Sequence, residues 1–408
     1  KSVRTGSVRR GGKEYVTYEQ REPFAYNYHS WMSSSFSCVL PVGSAGTLRY
    51  AVRYPDGEPV FREIPYEVVD VPEVATLKSF TTGFYGLYIR TVEQAREWAK
   101  CGVNTFSVRN YGEGPRKFAQ DLKAAGFRIR RGDYFWPGNC PAHAPWQDWS
   151  AQDETARALD VNGKPIAQGR GYQLSPSYRG RFLDAAIEKE VEFCRGLDFD
   201  AFCFDMENYV QNQGEAGDFR PERIAAFRDR WEKAHPGASV PDPFVFEKDR
   251  ASVLAHPEEH ACWVETKCDL WAGFFETVKD RMERGLGRRP VFTEWSMNTF
   301  DTVDGRNHCL RNGRFYRVFD AMEIDSYAGI DRMLRTLERH RERFSAAFGG
   351  QTFDVIMTPS PVRLGHKSGP SDYYYTTAPA FPDEGKYTFM EAATLGAKGV
   401  YAKRATPV

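Results

Sequence analysis

The 408-residue sequence predicts an α/β chain, a (β/α)8 barrel of the TIM type preceded by a small antiparallel β module. Three observations predict it. Short apolar runs of strand length alternate with amphipathic helical stretches. Several of these runs end in an acid or an aromatic, above all Asp200-Ala201-Phe202-Cys203-Phe204-Asp205-Met206-Glu207-Asn208-Tyr209. A buried parallel strand looks like this when its C-terminal end opens into a site. Finally, long segments rich in Trp, Tyr, Pro and Gly follow the strand ends. A doubly wound sheet is the rival arrangement of the same alternation.

Residues 1–72 read as the β-rich module. Thr47-Leu48-Arg49-Tyr50-Ala51-Val52-Arg53-Tyr54 alternates in character and meets a turn at Pro55-Asp56-Gly57, a hairpin pattern. Residues 66–71, between Pro65 and Pro72, read as a last strand before a linker, which leaves 73–408 for the barrel. Its strands are expected at 84–89, 104–108, 127–131, 200–205, 290–294, 321–325, 354–357 and 399–402. Helices are expected at 91–101 with Thr91 as N-cap, at 115–125 ending at Gly126, and at 181–194, 331–348 and 388–395. The helix after the eighth strand is expected to be missing.

The excursions 132–180, 206–289, 295–319 and 358–387 follow strand C-termini, where they would crowd one face and build a cleft. Their aromatics, among them Trp136, Trp146, Trp149, Trp295 and Tyr373-Tyr374-Tyr375, offer flat faces to the C–H side of sugar rings. Pinning the long loops is the alternative role.

Composition narrows the function. Lys+Arg and Asp+Glu are both 55, so the balanced charge gives no broad nucleic-acid footprint and no attraction to an acidic membrane. No apolar run approaches the ~20 residues that span a bilayer. Eight cysteines are scattered without a Cys-x-x-Cys pair, which argues against a zinc ribbon or a thioredoxin-type site. Cys203, inside an apolar strand, reads as a small core residue. The chain begins at Lys1 and is read as a processed product, with a secreted or periplasmic location expected.

Asp205 and Glu207 stand two apart and point the same way if the strand continues. Glu294 and Asp325 end later strands and are expected over the same cavity. Several carboxylates over one cleft are the ingredients of glycoside hydrolysis, in which one acid protonates the leaving oxygen and another attacks or activates water. Repulsion among them, with partial burial, raises one carboxyl toward neutral pH. Ion pairs to Arg90, Arg109 or Arg131 are the alternative for each acid. Such acids also bind Mg²⁺ or Ca²⁺, but no His or Lys accompanies them at the strand ends. No metal and no cofactor is therefore expected.

Arg109 and Asn110 end the second strand, and Asp133 and Trp136 end the third. With Asn208, Tyr209, Trp295 and Tyr327 they are the expected substrate-binding residues. Arg109, Arg363, His366 and Lys367 would meet a sulfate or carboxylate on an acidic sugar. His256-Pro257-Glu258-Glu259-His260 formally matches a zinc pattern, but Pro257 marks a helix start with His256 at its cap. No phosphate loop and no Gly-x-Ser-x-Gly elbow occurs.

Over 200–207 the chain resembles the Asp-x-x-Asp-x-Asp-x-Glu strand of glycoside hydrolase family 18, the chitinases, with Asp200, Asp205 and Glu207 on three of its four acids and Cys203 at the other. The resemblance implies Glu207 as the acid and Asp205 as the group orienting the substrate's acetamido. The wider chain is similar to barrel hydrolases of the α-galactosidase and α-fucosidase groups. That likeness implies Asp205 as nucleophile, with the acid/base elsewhere on the cleft, at Glu294 or Asp325. The expected function is hydrolysis of a poly- or oligosaccharide, neutral or anionic, with Asp205 as a retaining nucleophile and Glu294 as acid/base, or with Glu207 as the acid. A non-catalytic carbohydrate-binding barrel and a metal-dependent lyase or isomerase are the alternatives.

Overall fold

The computed structural model describes residues 2–10, 13–20, 41–52, 58, 60–68, 81–84, 89, 91–100, 102–108, 110–135, 145–168, 171–205, 218–297, 313–326, 354–359, 363–366, 373–376 and 399–402. The chain divides into two compact units, Lys1–Val69 with Thr406–Val408, and Asp70–Ala405.

The first unit holds two antiparallel pairs. β1 (Ser2–Arg10) pairs with β2 (Lys13–Gln20), and β3 (Ala45–Val52) pairs with β4 (Val60–Glu67). The β3–β4 register runs from Ala45 opposite Glu67 to Val52 opposite Val60, so the expected hairpin forms. Its turn residues, 55–57, lie outside the described residues.

In the second unit eight parallel strands pair in a closed ring. In order they are β5 (Thr81–Phe84), β6 (Thr105–Val108), β7 (Arg128–Phe135), β10 (Ala201–Asp205), β11 (Phe292–Met297), β12 (Ala321–Ser326), β13 (Asp354–Pro359) and β16 (Gly399–Ala402), which pairs back onto β5. The first strand lies earlier than the sequence suggests. β7 ends four residues later, and β11 extends to Met297, which makes Glu294 its third residue rather than its end. The cause is tertiary: β12 pairs with β11 as far as Asp325 opposite Met297, and that ladder carries the strand past the acid.

Helices α1 (Val92–Lys100), α2 (Glu113–Ala124) and α4 (Arg181–Cys194) follow β5, β6 and β7. The Thr91 hydroxyl accepts the Gln94 N–H at 3.2 Å, the N-cap its side chain predicts. Before α4 the chain forms α3 (Pro145–Gln152), a 3-10 turn at Glu154–Ala156, and the short pair β8 (Ala167–Gln168) and β9 (Gly171–Tyr172). After β10 come α5 (Pro221–Ala234), α6 (Pro243–Phe246), α7 (Arg250–Ala255) and the 30-residue α8 (Pro257–Leu286), and after β11 comes α9 (Gly313–Val318). The helices expected at 331–348 and 388–395 lie outside the described residues. β14 (Arg363–His366) and β15 (Tyr373–Thr376) pair antiparallel, with His366 opposite Tyr373.

α8 supplies much of the core. Val264, Cys268, Trp271, Phe275, Val278 and Met282 recur every three or four residues, giving a buried stripe in the main cluster with Phe202, Phe204 and Phe292. Each such side chain taken fully from water contributes about 1.5–3 kcal/mol. A second cluster, Phe219, Phe227, Trp231, Phe246 and Trp263, fixes α5 and α6 on α8. Gly287 ends α8 in the left-handed region at φ 72°, where a Cβ is penalised.

One device recurs at the feet of the strands. Asn104, Asp200 and Asp320 each stand one residue before a strand, and each accepts an amide N–H of the preceding neighbour in the ring, Thr82 at 2.9 Å, Ile129 at 2.7 Å and Phe292 at 2.7 Å. Their own amides donate back to the same three residues' carbonyls. Lys123 and Lys279 neutralise the two acids, at 3.1 and 2.5 Å. Asp200 therefore locks a register at the foot of β10, at the opposite end of the strand from Asp205.

Candidate active site

The ladder places the candidate acids. Asp205 is the last residue of β10, in register with Trp295, which is in register with Glu323, which in turn faces Ile356. Two residues further toward the strand ends, Met297, Asp325 and Thr358 form the next row of like phase. Glu294 belongs to a different row, with Phe204, Met322 and Val355.

Side chains alternate faces along a strand, and well-defined aromatics fix which phase meets the helices. Phe202 and Phe204 are fully buried, and the Phe204 ring lies 5.1 Å from Phe275 of α8 and 4.6 Å from Phe292. Glu294 stands in register with Phe204. Asp205, Trp295 and Glu323 share a register row that alternates with the row of Phe204, and Asp325 stands in the next row of that phase. Glu323, two residues before Asp325, shares the row of Asp205 and Trp295. The signal that selects it is the ladder register, which no local pattern contains.

β7 adds a second irregularity at the mouth. Between the rows Phe202–Arg131 and Phe204–Phe135 it spends four residues where β10 spends two. Gly132, at φ 108°, allows this bulge, and Asp133 sits in it. Such bulges re-aim side chains beside active sites. Asn110 is exposed two residues beyond β6. Arg109, Trp136, Glu207, Asn208, Tyr209 and Tyr327 lie outside the described residues.

Arg131 is committed elsewhere. Its Nε and Nη2 donate to Glu190 of α4 at 2.6 and 3.2 Å, its Nη1 donates to the Val108 carbonyl at 2.8 Å, and its guanidinium lies 4.5 Å from both the Tyr111 and Phe193 ring centres. The Tyr111 hydroxyl donates to the same carboxylate at 2.6 Å, and the Cys194 thiol at 3.2 Å. Burial, then the Glu190 charge, pushes both Tyr111 and Cys194 up, so both stay protonated. Cys194 is thus an inert thiol, and Arg131 is a structural ion pair on the helix side.

Two other sequence features resolve into packing. Trp149 is buried in the main core, 6.4 Å from the Tyr178 ring. His256 caps α8 and pairs with Glu259 at 3.3 Å, while His260 Nδ1 meets Glu247. Among the described residues no three His, Cys, Asp or Glu side chains come together as metal ligands, and no helix is long and apolar enough to cross a membrane.

No protein-family model and no curated protein matches the sequence. Solved structures do resemble the chain. Xylanase B from Clostridium stercorarium F9 covers 80% of this chain and 86% of its own at 13% identity and TM-score 0.33. A cycloisomaltooligosaccharide glucanotransferase from Paenibacillus sp. covers 82% and 54% at 9% identity and TM-score 0.38. Morphinone reductase covers 71% and 65% at 12% identity and TM-score 0.31. Two of the three act on carbohydrate by name and the third does not, and scores this low carry no argument about chemistry.

Proposed function

We propose that the chain is a glycoside hydrolase acting on an oligo- or polysaccharide, with Asp205 as the charged carboxylate at the anomeric carbon and Glu323 as its acid/base partner. The register row Asp205–Trp295–Glu323 supports this reading. It puts two acids in one register row on the strands that flank β11, with an aromatic position of β11 between them. Two inter-strand spacings separate their backbones by about 10 Å. From that span, carboxyls leaning together reach the ~5 Å of a retaining pair, and carboxyls standing upright reach the ~6.5–9.5 Å of an inverting pair. Glu294 is the weaker partner because it shares the phase of Phe204. Asp325, one row further out, remains a candidate, as does Glu207. The same reading completes the strand ring as a (β/α)8 barrel and takes a neutral or anionic saccharide as substrate.

The decisive experiment is release of reducing ends from a panel of polysaccharides by the wild-type and Asp205→Asn chains. The substitution is nearly isosteric, keeps hydrogen bonding and removes the charge needed at the anomeric carbon. Turnover should collapse on natural glycans and on glycosides with good leaving groups alike. Near-wild-type turnover by Asp205→Asn would overturn the proposal.

A further inference from the structure

The feet of the ring strands alternate in chemistry. The residues directly before β5, β7, β11 and β13 are Phe80, Phe127, Val291 and Phe353, and those before β6, β10, β12 and β16 are Asn104, Asp200, Asp320 and Lys398. In ring order, apolar and polar feet therefore alternate through all eight strands. Asn104, Asp200 and Asp320 use their side chains in one geometry. Each stands one step below a ladder row, Gly83–Thr105, Arg130–Ala201 and Thr293–Ala321 respectively. There its side-chain oxygen accepts the N–H of Thr82, Ile129 or Phe292, at 2.9, 2.7 and 2.7 Å. Its own N–H donates to the carbonyl of that same residue, at 3.0, 2.8 and 2.7 Å. Phe127 and Val291, the feet between these pairs, have no side-chain acceptor, and the Phe127 N–H turns to the Leu122 carbonyl at 3.0 Å. The lysines repeat as well. Lys123 of α2, the helix that enters β7, reaches Asp200, and Lys279 of α8, the helix that enters β11, reaches Asp320. The neutral Asn104 accepts the Thr105 hydroxyl at 2.8 Å.

We infer that the ring is a repeat of two-strand units: β5–β6, β7–β10 and β11–β12 are each locked at the foot by a polar key, and the pair, rather than the single strand, is the unit in which the ring loosens. A side chain that stands in for a ladder acceptor pins one register, because a slip of one residue breaks both of its bonds. Local opening follows such supersecondary units where the bonds inside them outnumber those between them. The fourth pair, β13–β16, carries Lys398 at the equivalent place, one step below the row Ile356–Gly399, and a lysine side chain has donors only. This inference stands apart from the hydrolase reading.

Native-state amide hydrogen exchange of the full chain in low urea tests it, with Asn104→Ala, Asp200→Ala, Asp320→Ala and the conservative Asp200→Asn. Each alanine leaves a ladder N–H without its acceptor. It should cut protection about tenfold along both strands of its own pair, while the other two keyed pairs stay within about twofold. The loss should be largest for Asn104→Ala, because Gly83–Thr105 is the one described ladder row above that key. Asp200→Asn keeps an oxygen acceptor and should keep protection at Ile129. If Asp320→Ala does not fold, because it strands the buried Lys279, Asp200→Ala carries the same expectation, since Lys123 there still has Asp198 at 3.6 Å. Unchanged protection at Thr82, Ile129 and Phe292 in the alanine variants overturns the key. A loss confined to the single keyed amide, or an equal loss around the whole ring, overturns the two-strand unit.

Discussion

Replacing Glu190 by Gln tests whether the Arg131 pair holds β6, β7 and α4 together. Arg131 and Glu190 side chains are 1% and 0% exposed, so neither can turn to water. The Gln is isosteric, but it offers Arg131 one neutral oxygen where the carboxylate offered two charged ones. It also sets an NH2 against a guanidinium, a phenol and a thiol that all donate to this group. The guanidinium stays, clamped between two rings and bonded to the Val108 carbonyl. Removing one partner of a fully buried pair costs about 3–5 kcal/mol, because the remaining charge is uncompensated. Burial alone would lower Arg131, but the Glu190 charge and hydrogen bonds reverse this and hold it above its usual value. The deficit should thus be the same at about pH 6 and about pH 9, since arginine does not titrate there. Urea unfolding followed by circular dichroism measures it. The paired replacement Arg131→Met with Glu190→Met should recover most of the loss, since an apolar pair leaves no orphan charge. A deficit under about 1 kcal/mol for Glu190→Gln, or a double variant as unstable as the single, would refute the reasoning.

Two further outcomes follow from register and packing. Glu323→Gln should lower kcat by about 10²–10⁴-fold on substrates with poor leaving groups and much less on activated ones, whereas Glu294→Gln should stay within a few-fold. The reverse ranking in the same kinetic comparison would return the acid/base role to Glu294. Gly285→Ala sets a Cβ 2.6 Å from Val191 Cγ1 where α8 crosses α4, and should lower stability by about 1–3 kcal/mol in thermal unfolding. Adding Val191→Ala should remove part of that crowding penalty, and an additive double variant would contradict the close approach.

The sequence by itself determined the elements. The apolar run before Asp205 is a strand because Phe202 and Phe204 need burial. Thr91 and Pro257 mark helix starts through local hydrogen bonding and fixed φ, and α4 falls on 181–194 as its apolar period requires. The acid at the end of β10 was legible for the same reason, as a charge that breaks a run built for burial. Only the tertiary structure decided which acids share a register row. Glu294 and Glu323 look alike in sequence, each an acid inside a short apolar segment. Pairing of β11 with both neighbours puts one in the phase of Phe204 and the other in the phase of Asp205. A shift of one residue in that ladder would exchange them, because the side-chain period of a strand is two. The register is held by contacts far apart in sequence, Phe202 on Val291 and Asp320 on Phe292, so no window of neighbouring residues contains it.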